Sequence, residues 1–395
     1  MTRQRLRSEV VVAVGLIAFI AIAFVKPWGS PTRPAEVRPT ASAAVVAPTP
    51  TTTDGPTPSP IGAERIGATI TWVPVGAAPV GLVDADGDLW FAAGGGHLVR
   101  IETVTLTATD VALDPKRFSG KVGLAGDGVN LWVTGADDHS VGLLDTASFE
   151  VSRIPAIATG PMVIDKIDGA ATEGGRLWFF ADVHVSHETL GAPCCAGLTS
   201  TMLYRTDLES RQMTQVGQLK GPLAIGVGFG WVWVLARPDG SSTPAVMERV
   251  DPVTGTVVAT VELPAVGSGF SPCGACITSF LVGSNSLWVP TGPGNSLIRI
   301  DPTVDRIVAT FALGREVESV VESPDGYIWM SGGQPLGTRC DPAVGYVSVI
   351  DPSTNRVIRD GHVACPISLV VHDKDVWIGI DGPTGPLLEQ IDPIR

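Results

Sequence analysis

The chain is short of basic residues. Its 395 positions hold 27 Lys and Arg against 40 Asp and Glu, a formal net charge of −13. That balance disfavours wholesale binding to a phosphate backbone, which needs a basic surface. Charge of either sign is sparse at 17%, while 44% of the residues are apolar, so core material is plentiful. The 46 Gly and 32 Pro are the two poorest residues in helix interiors and argue against a mostly helical protein. No nucleophile-elbow motif is present to support a Ser–His–Asp hydrolase. At this length the chain holds two or three domains or one large repeat architecture.

The amino end carries the one long apolar run. Arg3, Arg5 and Arg7 precede an uninterrupted apolar stretch from Val10 to Val25, closed by Lys26, Pro27 and Trp28. This lies between a signal-peptide core and the roughly 20 residues of a spanning helix. Lys26 can snorkel and Trp28 can sit at headgroup level, so residues 1–28 are expected to be an uncleaved transmembrane anchor. The rival is a secretory signal cut after Ala21-Ile22-Ala23. No cysteine stands nearby to accept a lipid. The three arginines keep that end cytoplasmic by the positive-inside rule, which leaves the rest extracytoplasmic. Residues 29–60, rich in Pro, Thr, Ala and Ser, read as a disordered linker of polyproline II character. Residues 1–60 hold six basic and three acidic groups, so the exported part is more acidic than the whole.

From residue 61 onward an aliphatic–Trp pair recurs seven times: Leu89-Trp90, Leu131-Trp132, Leu177-Trp178, Val232-Trp233, Leu287-Trp288, Ile328-Trp329 and Val376-Trp377. The Trp-to-Trp spacing never falls below 41 residues, close to the length of a four-stranded propeller blade. Each unit reads as a small apolar first strand ("APVGLV", "SFLVG"), the Trp strand, a third strand such as "SLIRIDP", an Asp-led turn and a fourth strand such as "RIVATFALG". Period-two alternation and hairpin turns argue antiparallel sheet. In "DPVTG", "DPTVD" and "DPSTN" Asp caps the turn and Pro fixes φ at the next position.

The last unit stops at "EQIDPIR", lacking a fourth strand, and Ala68-Thr69-Ile70 matches the fourth strands Ala259-Thr260-Val261 and Ala309-Thr310-Phe311. An N-terminal strand that completes the last sheet closes a ring without a free seam. The expected fold is therefore all-β: a seven-bladed β-propeller over residues 61–395, closed by an N-terminal strand.

The Trp strands and the stretch from Arg299 to Gly314, with fainter copies at "RVDPVTGTVVATVELP" and "VIDPSTNRVIRDG", resemble the YVTN type of β-propeller repeat, related to the streptogramin lyase and NHL-like group. The resemblance covers nearly all of residues 66–395 and implies fold more than function. Streptogramin lyases use His and Glu side chains with a magnesium ion at one face; no position here matches that motif.

In such a ring the second-to-third-strand loops and the blade-to-blade connections share one face. The long stretches His184–Ser200, Arg237–Pro244, Ser331–Val344 and Ala265–Ala275 all fall there, over blades three to six. Long loops on a rigid scaffold are where recognition resides, so His184, His187, Glu188, Arg237 and Arg339 are expected to line a ligand-binding face. All six cysteines share it: Cys194, Cys195, Cys273, Cys276, Cys340 and Cys365. An even count in an exported protein points to disulfides. Cys340 with Cys365 is the preferred pair; Cys194–Cys195 and Cys273–Cys276 are bridged locally or cross-linked. "HVSHE" holds a metal only if its strand has ended at His184. Asp84, Asp86 and Asp88 have calcium-loop spacing, but a tight first-to-second-strand turn explains them equally. The recurrent tryptophans are expected to pack between blades.

The function expected is a membrane-anchored binding or sensor module facing an extracytoplasmic protein, glycan or cell-wall component, with no nucleic acid and no cofactor. The alternative is a streptogramin lyase-like or lactonase-like enzyme assisted by Mg or Ca.

Overall fold

The structure, a computed structural model, describes residues 68–392 apart from 121, 136–139, 155–161, 186–199, 239–243, 265–279, 292–295, 334–342 and 383–384. All described residues belong to the compact unit Pro50–Arg395. The expected anchor and linker, residues 1–60, lie outside the described residues. Among the described residues there is no helix long and apolar enough to cross a membrane.

Twenty-eight strands form seven antiparallel four-stranded sheets. Blade 1 runs Val83–Ala85, Asp88–Gly94, His97–Glu102, Thr107–Ala112; blade 2 runs Gly123–Gly126, Leu131–Thr134, Val141–Leu144, Val151–Ile154. Blade 3 is Met162–Glu173, Arg176–Val185, Ser200–Asp207, Gln212–Leu219; blade 4 is Pro222–Gly228, Trp231–Ala236, Val246–Val250, Val257–Glu262. Blade 5 is Leu281–Val282, Leu287–Thr291, Ser296–Asp301, Arg306–Ala312, and blade 6 is Ser319–Glu322, Ile328–Gly332, Tyr346–Asp351, Arg356–His362. Blade 7 has Pro366–His372, Asp375–Gly382 and Gly385–Asp392, and takes its fourth strand from Ala68–Pro74. That strand pairs antiparallel from Ala68↔Asp392 to Pro74↔Leu387. The N-terminal closure of the ring is thus present.

One segment differs from the sequence reading. The first strand of blade 1 is Val83–Ala85, not "APVGLV" at residues 78–83, which overlaps it only at Val83. Pro79 and Gly81 interrupt the apolar pattern, and Gly81 adopts φ 66, outside the β region. Residues 78–82 instead form the link that reaches across the ring seam, where Ser368 Oγ donates to the Pro79 carbonyl.

The Trp strands are buried along their length rather than alternating, as in Leu131–Thr134, Leu287–Thr291 and Ile328–Gly332. The second strand of a blade has a neighbouring blade on each side, so both of its surfaces are dry. Fourth strands lie at the rim and are mostly exposed, as in Val257–Glu262, where only Val261 is buried. Six of the seven tryptophans are at most 1% exposed, and Trp178 is 4% exposed. Truncating one of them to Ala is worth about 3–5 kcal/mol, so the repeat is the source of the core.

The hairpins between third and fourth strands follow the Asp logic. Asp251 Oδ1 accepts the N–H of Val253 and Thr254 at 2.8 and 2.9 Å, and Asp145, Asp207, Asp301 and Asp351 act in the same way. The fifth turn residue is left-handed: Leu106, Phe149, Arg211, Gly255, Asp305 and Asn355 all have φ between 49 and 68. Only at Gly255 is the residue type one that adopts this without steric cost.

These turns also tie blades together. Arg249 of blade 4 meets Asp305 in the blade 5 turn at 3.1 Å. Arg299 of blade 5 donates to Asn355 Oδ1 at 2.7 Å and to the Pro352 carbonyl in the blade 6 turn.

Candidate functional site

Strand order puts the second-to-third and blade-to-blade connections together on one face, the loop-bearing one. Its longest segments lie outside the described residues, and with them His187, Glu188, Arg339, Cys194, Cys195, Cys273, Cys276 and Cys340. His184, Arg237 and Cys365 are described. His184 sits within Arg176–Val185, so its strand continues past it. Its Nδ1 lies 2.7 Å from Asp165 Oδ1 on the neighbouring first strand. The strand end that a metal-binding "HVSHE" requires is not at His184. Arg237 is 7% exposed, its backbone N–H is bonded to the Gly221 carbonyl at 2.8 Å, and burial lowers its pKa. Its guanidinium is packed into the base of the blade 4 loop. Cys365 is 1% exposed, and its carbonyl accepts the Asp381 N–H at 3.1 Å.

The best-built polar cluster on this face is one that sequence did not indicate. Arg315, in the connection from blade 5 to blade 6, stacks 3.8 Å from the Tyr346 ring centroid. It donates to Ser348 Oγ at 3.0 Å and to Asp360, while Ser348 Oγ donates to the same Asp360 oxygen at 2.6 Å. The Tyr346 hydroxyl donates to the Glu316 carbonyl at 2.7 Å, and burial drives its pKa far above that of a free phenol. The residues lie up to 45 apart in sequence, so no local motif could announce them. The network fixes the base of the blade 6 loop. Ser348, the hydroxyl that contacts the Asp360 carboxylate, is fully buried.

In blade 4 the place of Ser348 is taken by Glu248, buried and with its pKa raised by desolvation, an effect Lys220 partly offsets. The two blades therefore support their loops with different chemistry on one backbone.

No protein-family model matches the chain, and no curated protein matches it. Solved structures do. A chain of a mitotic checkpoint complex superposes with a TM-score of 0.55 at 14% identity, covering 85% of this chain and 98% of that one. The extracellular domain of a proposed one-component system from B. thetaiotaomicron gives a TM-score of 0.52 at 14% identity, covering 81% of this chain and 39% of that one. These likenesses establish a fold: a seven-bladed β-propeller. At this identity they speak to nothing finer.

On the opposite face of the propeller the connections are short, such as Asp86-Gly87, Gly174-Gly175 and Phe229-Gly230. The Asp84, Asp86 and Asp88 carboxylates lie here and face three different partners. Asp84 meets His372 at 3.2 Å, Asp86 accepts from Thr146, and Asp88 pairs with Arg100 at 2.6 Å. Among the described residues no three His, Cys, Asp or Glu side chains converge as a metal site would require.

Proposed function

We propose that the protein is an exported, membrane-anchored propeller that recognises an extracytoplasmic protein, glycan or cell-wall component through its loop-bearing face. The observation that carries this reading is the one-sidedness of the connections. Long intervals such as 186–199, 265–279 and 334–342 separate strands on one face only, and short turns occupy the other. A rigid ring with all its variable length at one end is built to present loops, because the sheets hold their bases fixed while the tips are free to be shaped by selection. The Arg315–Tyr346–Asp360 network supports this, since it orders the base of a loop on that face from buried and part-buried side chains. The B. thetaiotaomicron neighbour is an extracellular domain, which is in keeping with use of this fold outside the cytoplasm. The apolar run Val10–Val25 with its flanking arginines supplies the anchor, and residues 29–60 the spacer.

The pairing of Cys340 with Cys365 belongs to the same reading. Cys365 is buried, and the connection that carries it lies against the strand that follows the blade 6 loop, where the Val363 N–H donates to the Gly345 carbonyl at 3.2 Å. A bridge there would lock the loop to the ring.

The test is photo-crosslinking in cells with the full chain. A benzophenone amino acid replaces Leu190, Phe270 or Leu336 in the loops, or Val129, Val253 or Val304 at exposed turn tips of the other face. Adducts concentrated at the first three positions are expected. Adducts at the second set alone, or an equal spread, would overturn the face assignment. Labelling from the cytoplasmic side would overturn the compartment.

A further inference from the structure

Four blades carry an arginine cross-strand from a tryptophan: Trp90↔Arg100, Trp178↔Arg205, Trp233↔Arg249 and Trp288↔Arg299. Each guanidinium covers an indole, with Arg100, Arg205 and Arg299 at 5.8, 5.6 and 5.2 Å from their partner's centroid and Arg249 over Trp231 at 4.7 Å. Three of them are also bound by oxygen acceptors of the chain. Arg100 is held by Asp88, Arg249 by Asp305, and Arg299 by Asn355 and Ser286.

Arg205 is the exception. Among the described residues it has the stack on Trp178 and no hydrogen bond or ion pair. Both in-chain sources of an acceptor have been replaced. The residue before the aliphatic–Trp pair, Asp88 in blade 1 and Ser286 in blade 5, is Arg176 in blade 3, and it pairs with Asp207. The fifth turn residue of the next blade, Asp305 or Asn355 elsewhere, is Gly255. A side chain cannot be restored there, because a Cβ would meet the Val216 carbonyl oxygen at 2.5 Å.

Arg205 lines an open depression of about 510 Å³ with Asp207, Glu209, Ser210 and Thr214. Asp207 does not satisfy Arg205. Its carboxylate accepts the N–H groups of Glu209 and Ser210 at 3.0 and 3.2 Å and the Arg176 Nε at 3.4 Å. A half-buried, stacked arginine keeps its planar fork oriented and loses little freedom on binding. Water is a poor substitute for the bidentate oxyanion that such a fork fits.

We propose that the Arg205 depression is a binding site for the carboxylate of a ligand, which takes against Arg205 the place Asp305 takes against Arg249. The Ser210 and Thr214 hydroxyls are the additional donors within the depression. The neighbouring Asp207 and Glu209 select against a more highly charged group such as phosphate, since each further negative charge is repelled by both. The site is on the short-turn face and stands independently of the loop-face reading above.

The experiment is arginine modification with phenylglyoxal on the full-length protein in detergent, mapped by peptide mass spectrometry, in sodium chloride and in sodium acetate of equal ionic strength. In chloride, Arg205 is expected to react faster than the clamped Arg249 and Arg299. In acetate its reaction is expected to slow severalfold while the exposed Arg306 is unchanged. Slow reaction of Arg205 in chloride would mean that the fork is already occupied by the chain and overturns the site. Equal rates in the two salts, or equal slowing of Arg205 and Arg306, overturns it as well. Arg205→Gln in parallel must abolish the acetate-dependent part of any rise in melting temperature; a rise that persists in that variant is a further disproof.

Discussion

His372 Nδ1 lies 3.2 Å from Asp84 Oδ1 across the seam where blade 7 meets blade 1. Beside it, the Asp84 carbonyl accepts the Gly128 N–H of blade 2 at 3.1 Å, so one residue links three consecutive blades at the inner wall.

Burial raises the Asp84 pKa, the His372 contact offsets this only in part, and the Asp373 and Asp88 charges add to the rise. A carboxyl raised on folding contributes its stability below the unfolded value, about 3.9, and loses it as pH climbs through the folded value. At neutral pH the Asp84 charge is therefore a net cost. Asp84→Asn keeps an acceptor for His372 and should equal or exceed the parent in urea unfolding at pH 7, with the advantage shrinking toward about pH 3. A loss above roughly 1 kcal/mol at pH 7 would show that attraction to His372, not desolvation, dominates.

The turn aspartates have the opposite sign. Asp145, Asp207 and Asp251 are held below the usual carboxylate range chiefly by backbone N–H groups three residues on. In Asp301 and Asp351 the hydroxyl two residues on leads. Depressed groups stabilise above the unfolded pKa and lose that contribution as pH falls through the folded one. Asp251→Ala should lower the melting temperature at pH 7 and make less difference below about pH 3. A deficit independent of pH would show that the aspartate's charge is not its source, and no deficit at any pH would leave the turn to Pro252 and Gly255.

Blade 7 offers a gain. Gln390 faces Trp377 as Arg100 faces Trp90. It donates to Asp375 Oδ2 at 2.7 Å, while Asp375 Oδ1 is buried without a partner. Gln390→Arg should supply the missing donor and the stack over Trp377, raising stability by about 1 kcal/mol. In an Asp375→Ala background the gain should vanish; if it persists, the carboxylate is not its source.

If Cys340 and Cys365 are bridged, reductant should lower stability by roughly 2–4 kcal/mol. Cys340→Ser, Cys365→Ser and the double variant should then be equally affected. Unreduced peptide maps that join Cys365 to another cysteine would redirect the loop's tether.

The blade count was readable because one side chain, a large indole on the second strand, meets the same requirement seven times. Ring closure was readable because Ala68–Pro74 carries a fourth-strand pattern that the last unit lacks. The start of the inner strand of blade 1 was not readable, since Leu82 and Val83 extend the apolar run although Gly81 turns the backbone out of the β region. His184 pairing with Asp165, burial of Arg237, and the Arg315–Tyr346–Asp360 network depend on residues from separate strands or connections, for which local spacing holds no signal.

Sequence alone thus determined the architecture and which end carries the long loops, because hydrophobic period and turn chemistry act over a few neighbouring residues. Tertiary structure decided which charges are satisfied. Arg249, Arg299 and Arg205 occupy the same strand position, but whether an arginine finds an oxygen depends on the side chain that the adjoining blade brings to it.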